Sequence, residues 1–320
     1  MSAAPPASTP ATRKHSHVAV LMGGWSAERE VSLNSGSACA DALEREGYRV
    51  TRIDADRNLA QRLAEVRPDA CFNALHGRWG EDGAVQGVLE CLGIPYTHSG
   101  ILASALAMHK QRAKQAMAAA GVPVGAGVVV KRDEAVIRHA MEPPYVAKPI
   151  AEGSSVGVVI VPRGANAPPA SIHRIPDLDG MIMVERFVAG RELTCAVIGD
   201  RATDIIDIVP RGDLAFYDYE AKYAAGGSLH VLPAKILPDV YQSIRRYTVL
   251  AHQALGCRGV SRADFRYDDT PGGTGELICL EVNTQPGMTG TSLVPELAAH
   301  AGMSFGALVS WIVEDASCDR

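Results

Sequence analysis

The chain has 320 residues, a length that suits two or three domains better than one small core. Lys plus Arg number 31 against 36 Asp plus Glu, a formal charge of −5, which gives no general pull toward nucleic acid or anionic lipid. Apolar residues are 47% and charged residues 21%, no apolar run nears the roughly 20 residues of a membrane span, and the 7 cysteines are scattered without a C-x-x-C pair, so a disordered chain, a fibre, a helical membrane protein and a disulfide-stapled secreted protein are all excluded. Reduced thiols in a cytosol, mostly small core residues, are the expectation.

Residues 1–17 are rich in Pro, Ala, Ser and Thr, lack the apolar stretch of a secretory signal, and read as a disordered tail. A buried strand is expected over 18–22, stopping at Gly23-Gly24. A helix over 30–46, a strand over 48–53, a helix over 61–66, a strand over 70–75, a helix over 84–92 and a short strand over 94–96 follow. That alternation predicts a doubly wound parallel sheet. Ala, Met, Lys and Gln over 104–120 predict one helix. Short β-branched runs over 128–130, 145–148, 157–161 and 181–187, with a loop over 162–179, predict a small antiparallel α+β unit. Strands are expected over 192–198 and 202–209, then a polar loop over 210–234. An amphipathic helix over 239–255 places Val240, Ile244, Tyr247, Ala251 and Leu255 in one stripe. Strands over 260–267 and 276–283 and helices over 293–301 and 304–316 complete the chain.

Several segments carry chemistry. Gly23-Gly24-Trp25-Ser26-Ala27-Glu28 joins the first strand to the first helix, where an anion or substrate commonly sits. G-x-G-x-x-G is absent and Glu28 would repel a pyrophosphate, so the carboxylate better suits an amine; a tight turn with a helix-dipole glutamate is the alternative. His76-Gly77-Arg78-Trp79-Gly80-Glu81-Asp82-Gly83 follows the third strand at the same carboxyl edge, where ligands of open α/β sheets bind. It reads equally as a glycine-rich loop with a satisfied histidine. Lys148-Pro149 followed by Glu152-Gly153-Ser154-Ser155-Val156-Gly157 is not a Walker A motif, yet a lysine before a Gly/Ser loop suits phosphates; a hairpin turn with a surface lysine is the alternative.

Arg262-Ala263-Asp264-Phe265 and Glu281-Val282-Asn283 lie on two strands whose side chains alternate faces. Paired, they would gather Asp264, Glu281 and Asn283 into an oxygen cluster that selects magnesium or manganese, unless the face is merely polar and crossed by a salt bridge. The loop 284–292 would bring amides and hydroxyls beside that cluster, to bind a carboxylate or an oxyanion, or simply to turn. Phe216-Tyr217-Asp218-Tyr219-Glu220-Ala221-Lys222-Tyr223, inside a long loop, reads as a lid or as an ordinary surface loop.

Taken in order, these motifs resemble the ATP-grasp ligases and, among them, the D-alanine–D-alanine ligase family, over residues 18–316. The resemblance implies a three-domain ATP-grasp fold of α/β and α+β character: an N-terminal doubly wound parallel-sheet domain at 18–103, a central ATP-grasp domain at 104–188, and a C-terminal ATP-grasp domain at 189–320 with the metal and substrate site. It implies ATP-dependent joining of two D-alanines through a D-alanyl phosphate. Glu28 would hold the first D-alanine ammonium, with His76 near its carboxylate. Lys110, Lys148 and Lys222 would contact ATP phosphates. Glu152, Ser154, Ser155, Phe216 and Asn283 would add to the nucleotide site, and Glu185 and Glu192 would grip adenine and ribose. Asp264, Glu281 and Asn283 would hold two Mg2+ or Mn2+ ions, with K+ as an optional assistant. Arg262 and the Gly287 amide would form the oxyanion hole, Ser292 and Leu293 would seat the second D-alanine, and Ser154 and Tyr223 would join Glu28 in a network. A cytoplasmic homodimer making a peptidoglycan precursor is implied as well.

The pattern departs from the family at Ile150-Ala151 and Gly290-Thr291, where more polar pairs are common, and at Gln285, where serine is common; the stretch between Val161 and Met181 is short. Two other functions compete. A ligase taking D-lactate as second substrate is disfavoured by Tyr223, and a non-catalytic nucleotide-binding protein is disfavoured by the complete set of lysines and metal ligands.

Overall fold

The computed structural model describes residues 13–153, 157–210 and 228–320. Its first layer is built on His17–Gly23 (β1), which is buried along its whole length and lies between Arg49–Ala55 (β2) and Ala70–Asn73 (β3) in a parallel sheet ordered β2-β1-β3. Alternation assigns the two faces. Val18, Val20 and Met22 pack with Cys39, Ala40 and Leu43 of the helix Arg29–Arg45 (α1). Ala19 and Leu21 pack with Leu59 and Leu63 of Leu59–Val66 (α2) and with Val85 and Leu89 of Ala84–Leu92 (α3). The expected strand over 94–96 is reduced to bridges from Tyr96 to Cys71 and Ser317.

Order begins before residue 18, contrary to the expected tail over 1–17. The Ser16 and His17 amides donate to the Asp69 carboxylate at 3.0 and 2.8 Å, and Lys14 Nζ donates to the Ala316 carbonyl at 2.6 Å. These donors find acceptors far along the chain, which composition does not report.

The helix expected over 104–120 is two helices, Ile101–Met108 (α4) and Lys110–Ala119 (α5). His109 between them is extended (φ −87°, ψ 90°) and its side chain accepts from the Arg112 amide, capping the second helix. Their apolar side chains join the last core and not that of the central unit to which 104–188 was assigned: Ala107, Ala113 and Met117 share a core with Leu193, Ile205, Phe265 and Val282.

The middle of the chain forms an antiparallel sheet ordered β4-β7-β5-β6 from Gly127–Lys131 (β4), Tyr145–Lys148 (β5), Val159–Val161 (β6) and Met181–Arg186 (β7). Arg132–Ile137 (α6) was not expected, because six residues are too few to show a helical period. The expected loop over 162–179 contains a 3-10 turn at Ala170–Arg174, and Ile172 and Ile175 seal the small core against Tyr145 and Val184.

The last sheet is antiparallel, ordered β10-β9-β8-β11-β12, from Arg191–Ile198 (β8), Arg201–Pro210 (β9), Ser228–Val231 (β10), Val260–Tyr267 (β11) and Leu277–Asn283 (β12). One face carries Pro238–Ala254 (α7) through Ile244 and Ala251. The other presents Ala196, Ile206 and Ile208 to Leu293–His300 (α8) and Phe305–Glu314 (α9), in a core continuous with β1 and α1. No single helix among the described residues is long and apolar enough to cross a membrane; α8 and α9 pass such a test only as a pair bent by 105°. Cys39, Cys71, Cys195, Cys257 and Cys279 are buried, as small core residues should be.

Phe265 is fully buried where α5, α7 and the last sheet meet. Phe265→Ala should lower the unfolding free energy by about 3–5 kcal/mol, seen as a reduced urea midpoint at unchanged slope; a loss below about 1 kcal/mol would contradict this packing.

Candidate active site

β11 and β12 pair antiparallel with Asp264 opposite Glu281 and Arg262 opposite Asn283. Ala263, Phe265 and Val282 fall on the core face, so the polar residues share the other. The Arg262 guanidinium donates to both Asp264 carboxylate oxygens, at 2.9 and 2.8 Å, and Thr194 on β8 donates to the same carboxylate at 2.6 Å. Lys110, placed at the start of α5 by the break at His109, brings Nζ to 3.1 Å from Glu281 Oε2 and donates to the Glu152 carbonyl at 2.7 Å. Asp264, Glu281 and the Asn283 amide are all hard oxygen donors, a set that fits a divalent cation such as magnesium. Among the described residues no group of three His, Cys, Asp or Glu side chains is gathered for a metal, so the amide of Asn283 is needed to complete this set.

Two clefts meet at this polar wall. The first is open to solvent and is lined by Glu28, His76, Arg262, Asn283, Gly287, Ser292 and Leu293. The second is lined by Lys148, Glu185, Phe187, Glu192, Ile278 and Leu280. Lys110, Glu152, Gly153, Asp264 and Glu281 border both.

In the first cleft Glu28 is buried at the N-cap of α1. Two loops close on its carboxylate because they carry glycine: a Cβ on Gly77 would lie 2.6 Å from Glu28 Oε2, and one on Gly153 would lie 2.9 Å from it. Ser26 fastens the turn by donating to the His76 carbonyl at 2.7 Å. Burial, then the Arg262 charge, push His76 down to about 4 against an opposing hydrogen bond with the Gln285 backbone, and its Nε2 lies 3.2 Å from the Ser35 hydroxyl. Burial and the charge of Glu28 push the Glu81 carboxyl well above the usual range. Gly287 lies close to Ser292, to whose hydroxyl the Thr289 amide donates at 2.9 Å.

In the second cleft the Glu185 carboxylate takes Lys148 on one oxygen and Lys114 on the other. Burial acts to raise Glu185, but the two ammonium groups outweigh it and hold the carboxyl below its ordinary value. Lys148 is buried, which rules out the surface-lysine alternative. Phe187, Val188, Ile278 and Leu280 give this cleft apolar walls, and Glu192 faces Arg266 at 3.7 Å.

Ser154, Ser155, Phe216, Lys222 and Tyr223 lie outside the described residues. The other expected site residues line one or both clefts. Lys114, Glu81 and Arg266 were not among the expected site residues. Signals for them existed: Lys114 is one helical turn beyond Lys110, Glu81 sits in the loop already singled out, and Arg266 follows Arg262 and Asp264 at the strand period.

Comparison with known proteins gives matches along most of the chain. Residues 54–99 match the family model described as "D-ala D-ala ligase N-terminus", and residues 117–314 match "D-ala D-ala ligase C-terminus". The chain is 65% identical over 305 residues to the D-alanine–D-alanine ligase of Methylocella silvestris, covering 95% of this chain and 99% of the relative. It is 63% identical to that of Parvibaculum lavamentivorans, covering 95% and 98%. Among solved structures it is similar to the D-alanine–D-alanine ligase of Bacillus anthracis complexed with ATP, with a TM-score of 0.75 at 29% identity, covering 94% and 96% of the two chains.

The depressed His76 has a consequence for pH. Between about 4 and the ordinary 6.5 the unfolded chain binds a proton that the folded chain does not, so stability rises with pH through that window. Stability measured from pH 4 to 7 should rise less steeply in His76→Gln than in the unaltered protein; equal slopes would mean that His76 is not held neutral.

Proposed function

The chain belongs to the D-alanine–D-alanine ligase family, and on that premise we propose how its residues carry out the ATP-dependent joining of two D-alanines to D-alanyl-D-alanine, a peptidoglycan precursor. The observation that supports the assignment of roles is the wall of Lys110, Asp264 and Glu281 common to both clefts, which would put a γ-phosphate next to a bound amino acid.

ATP occupies the second cleft, its adenine between the apolar walls with Glu185 and Glu192 on adenine and ribose. Lys110 and Lys148 neutralise phosphate oxygens, joined by Lys222, while Glu152, Ser154, Ser155 and Phe216 complete the nucleotide site. The first D-alanine lies in the other cleft. Its ammonium meets Glu28, and its carboxylate meets His76 and Arg262. A carboxylate oxygen attacks the γ-phosphorus, the bond to ADP breaks, and D-alanyl phosphate forms. Asp264, Glu281 and Asn283 would hold two Mg2+ or Mn2+ ions, which supply charge neutralisation at the transferring phosphoryl group.

Ser292 and Leu293 seat the second D-alanine. Its amine, after losing a proton, attacks the acyl carbon. Arg262, steered by its two bonds to Asp264, and the Gly287 amide receive the oxyanion, and phosphate leaves as the carbonyl re-forms. Ser154 and Tyr223, outside the described residues, keep their expected role as partners of Glu28 in this reading. An acyl phosphate hydrolyses in water, so the reaction needs water kept from the site. Membership of the family also supports a homodimer working in the cytoplasm, and K+ as an assisting ion belongs to the same reading.

The protein with ATP, magnesium and D-alanine should release phosphate and dipeptide in equal amounts; D-alanine-independent phosphate release, or none, would refute the assignment. Glu281→Ala should cut turnover by about a hundredfold or more while its circular dichroism and melting remain those of a folded protein. Near-normal turnover in that variant would remove Glu281 from the metal set.

A further inference from the structure

Gln285, the residue that stands where serine is common in the family, joins the two halves of the site. It is 1% exposed, in the loop that follows β12. Its side-chain Nε2 donates to the Leu75 carbonyl, the peptide oxygen immediately before His76. Its Oε1 accepts from Asn73 Nδ2 at 2.8 Å. Its backbone amide donates to Asn283 Oδ1 at 2.8 Å. Both ends of the side-chain amide are therefore used, and they are used on the loop that carries His76, while its main chain fixes a residue of the polar wall.

The surroundings leave the amide no second arrangement. Asn73 is fully buried at the end of β3, and its Nδ2 also donates to the Gly80 carbonyl at 2.9 Å, to which Gln86 donates at 3.0 Å. Asn73 Oδ1 accepts the Leu75 amide at 3.2 Å. Near the same loop, Ser35 takes His76 Nε2 at 3.2 Å and the Met288 amide at 3.3 Å. A buried polar group bonded at both its oxygen and its nitrogen is held in its rotamer, because turning it away strands a donor and an acceptor away from water. A serine hydroxyl ends two bonds nearer the main chain and carries one donor, so it cannot reach the Leu75 carbonyl and the Asn73 amide together.

Resting on the ligase reading above, we propose that Gln285 is a positioning residue that sets the register between the first D-alanine site and the phosphate-facing wall. It touches neither substrate. It holds the peptide at Leu75-His76 and the side chain of Asn283 to one rigid loop, so that the amino-acid carboxylate meets the phosphorus at reacting distance. Reaction between two bound molecules depends steeply on that alignment, and misplacement by about 1 Å costs on the order of a hundredfold.

The test compares Gln285→Met, which keeps the volume and removes both side-chain bonds, with Gln285→Glu, which keeps only the acceptor for Asn73. Both are measured for folding, ATP affinity without D-alanine, and kcat and KM for D-alanine. Gln285→Met should fold, bind ATP within about twofold of the unaltered protein, and lose about tenfold or more in kcat/KM for D-alanine. Gln285→Glu should fall between the two. In Asn73→Ala combined with Gln285→Met the losses should be smaller than the product of the two, since both changes remove the bond between Asn73 and Gln285. A merely structural role would lower melting temperature and leave kcat and KM per folded molecule unchanged; that result, or an equal loss toward ATP and D-alanine, would overturn the proposal. Amide hydrogen exchange over residues 74–83 is read in parallel and does not depend on turnover. It should quicken in both variants, and unchanged exchange would overturn the link even if the unaltered protein proved inactive, an outcome that would by itself sink the ligase reading.

Discussion

Two carboxylates opposite each other on adjacent strands repel, and most of the charged groups around Asp264 and Glu281 are arranged against that repulsion. At a separation of about 5 Å and an effective dielectric of about 20 the cost is on the order of 3 kcal/mol. Arg262 offsets it on one side through a two-pronged contact with Asp264, and Lys110 on the other through Glu281. Each cation depends in turn on a backbone feature. Strand alternation gives Arg262 its face, and the break at His109 starts a new helix with Lys110 at its first position.

The same electrostatic problem recurs deeper in both clefts, with different solutions. Glu185 is buried with two lysines and keeps its charge. Glu81 is buried beside Glu28 and is pushed toward the neutral acid, with the Gly77 amide donating to it and Lys110 opposing the shift only in part. His76 is pushed toward the neutral imidazole by burial and by Arg262. Removing water from the site thus sorts its ionisable groups: those meeting opposite charge stay ionised, and those meeting like charge or none give it up. On the reading proposed above, a site sorted in this way would meet an ammonium at Glu28 and polyphosphate at Lys110 and Lys148 with few charges left to rearrange.

Most of the fold and much of the site were legible from short-range patterns. Val18 to Met22 read as a doubly covered strand because every residue is apolar, and its odd and even residues do pack on opposite cores. Arg262, Asp264, Glu281 and Asn283 could be put on one face because strand geometry has a period of two, and the register of β11 with β12 brings them together. Patterns failed where a partner lay far along the chain, or where a segment was too short or too uniform in propensity to show its ends. The helix break at His109 was hidden by strong helix formers on both sides of it. The order at Lys14 and His17 depends on Ala316 and Asp69. The six-residue helix Arg132–Ile137 is too short to carry a period.

By itself the sequence determined which residues alternate, which loops must be glycine, and the ordered set of motifs that places the chain in its family, because all of these are properties of neighbours along the backbone. Tertiary structure alone decided which cation meets which carboxylate, that Lys114 shares Glu185 with Lys148, that α4 and α5 join the last core instead of the middle one, and that Gln285 ties the His76 loop to Asn283. Those pairings depend on burial and on distances between residues up to two hundred or so positions apart, and a buried polar atom takes whichever partner the packed fold brings within reach.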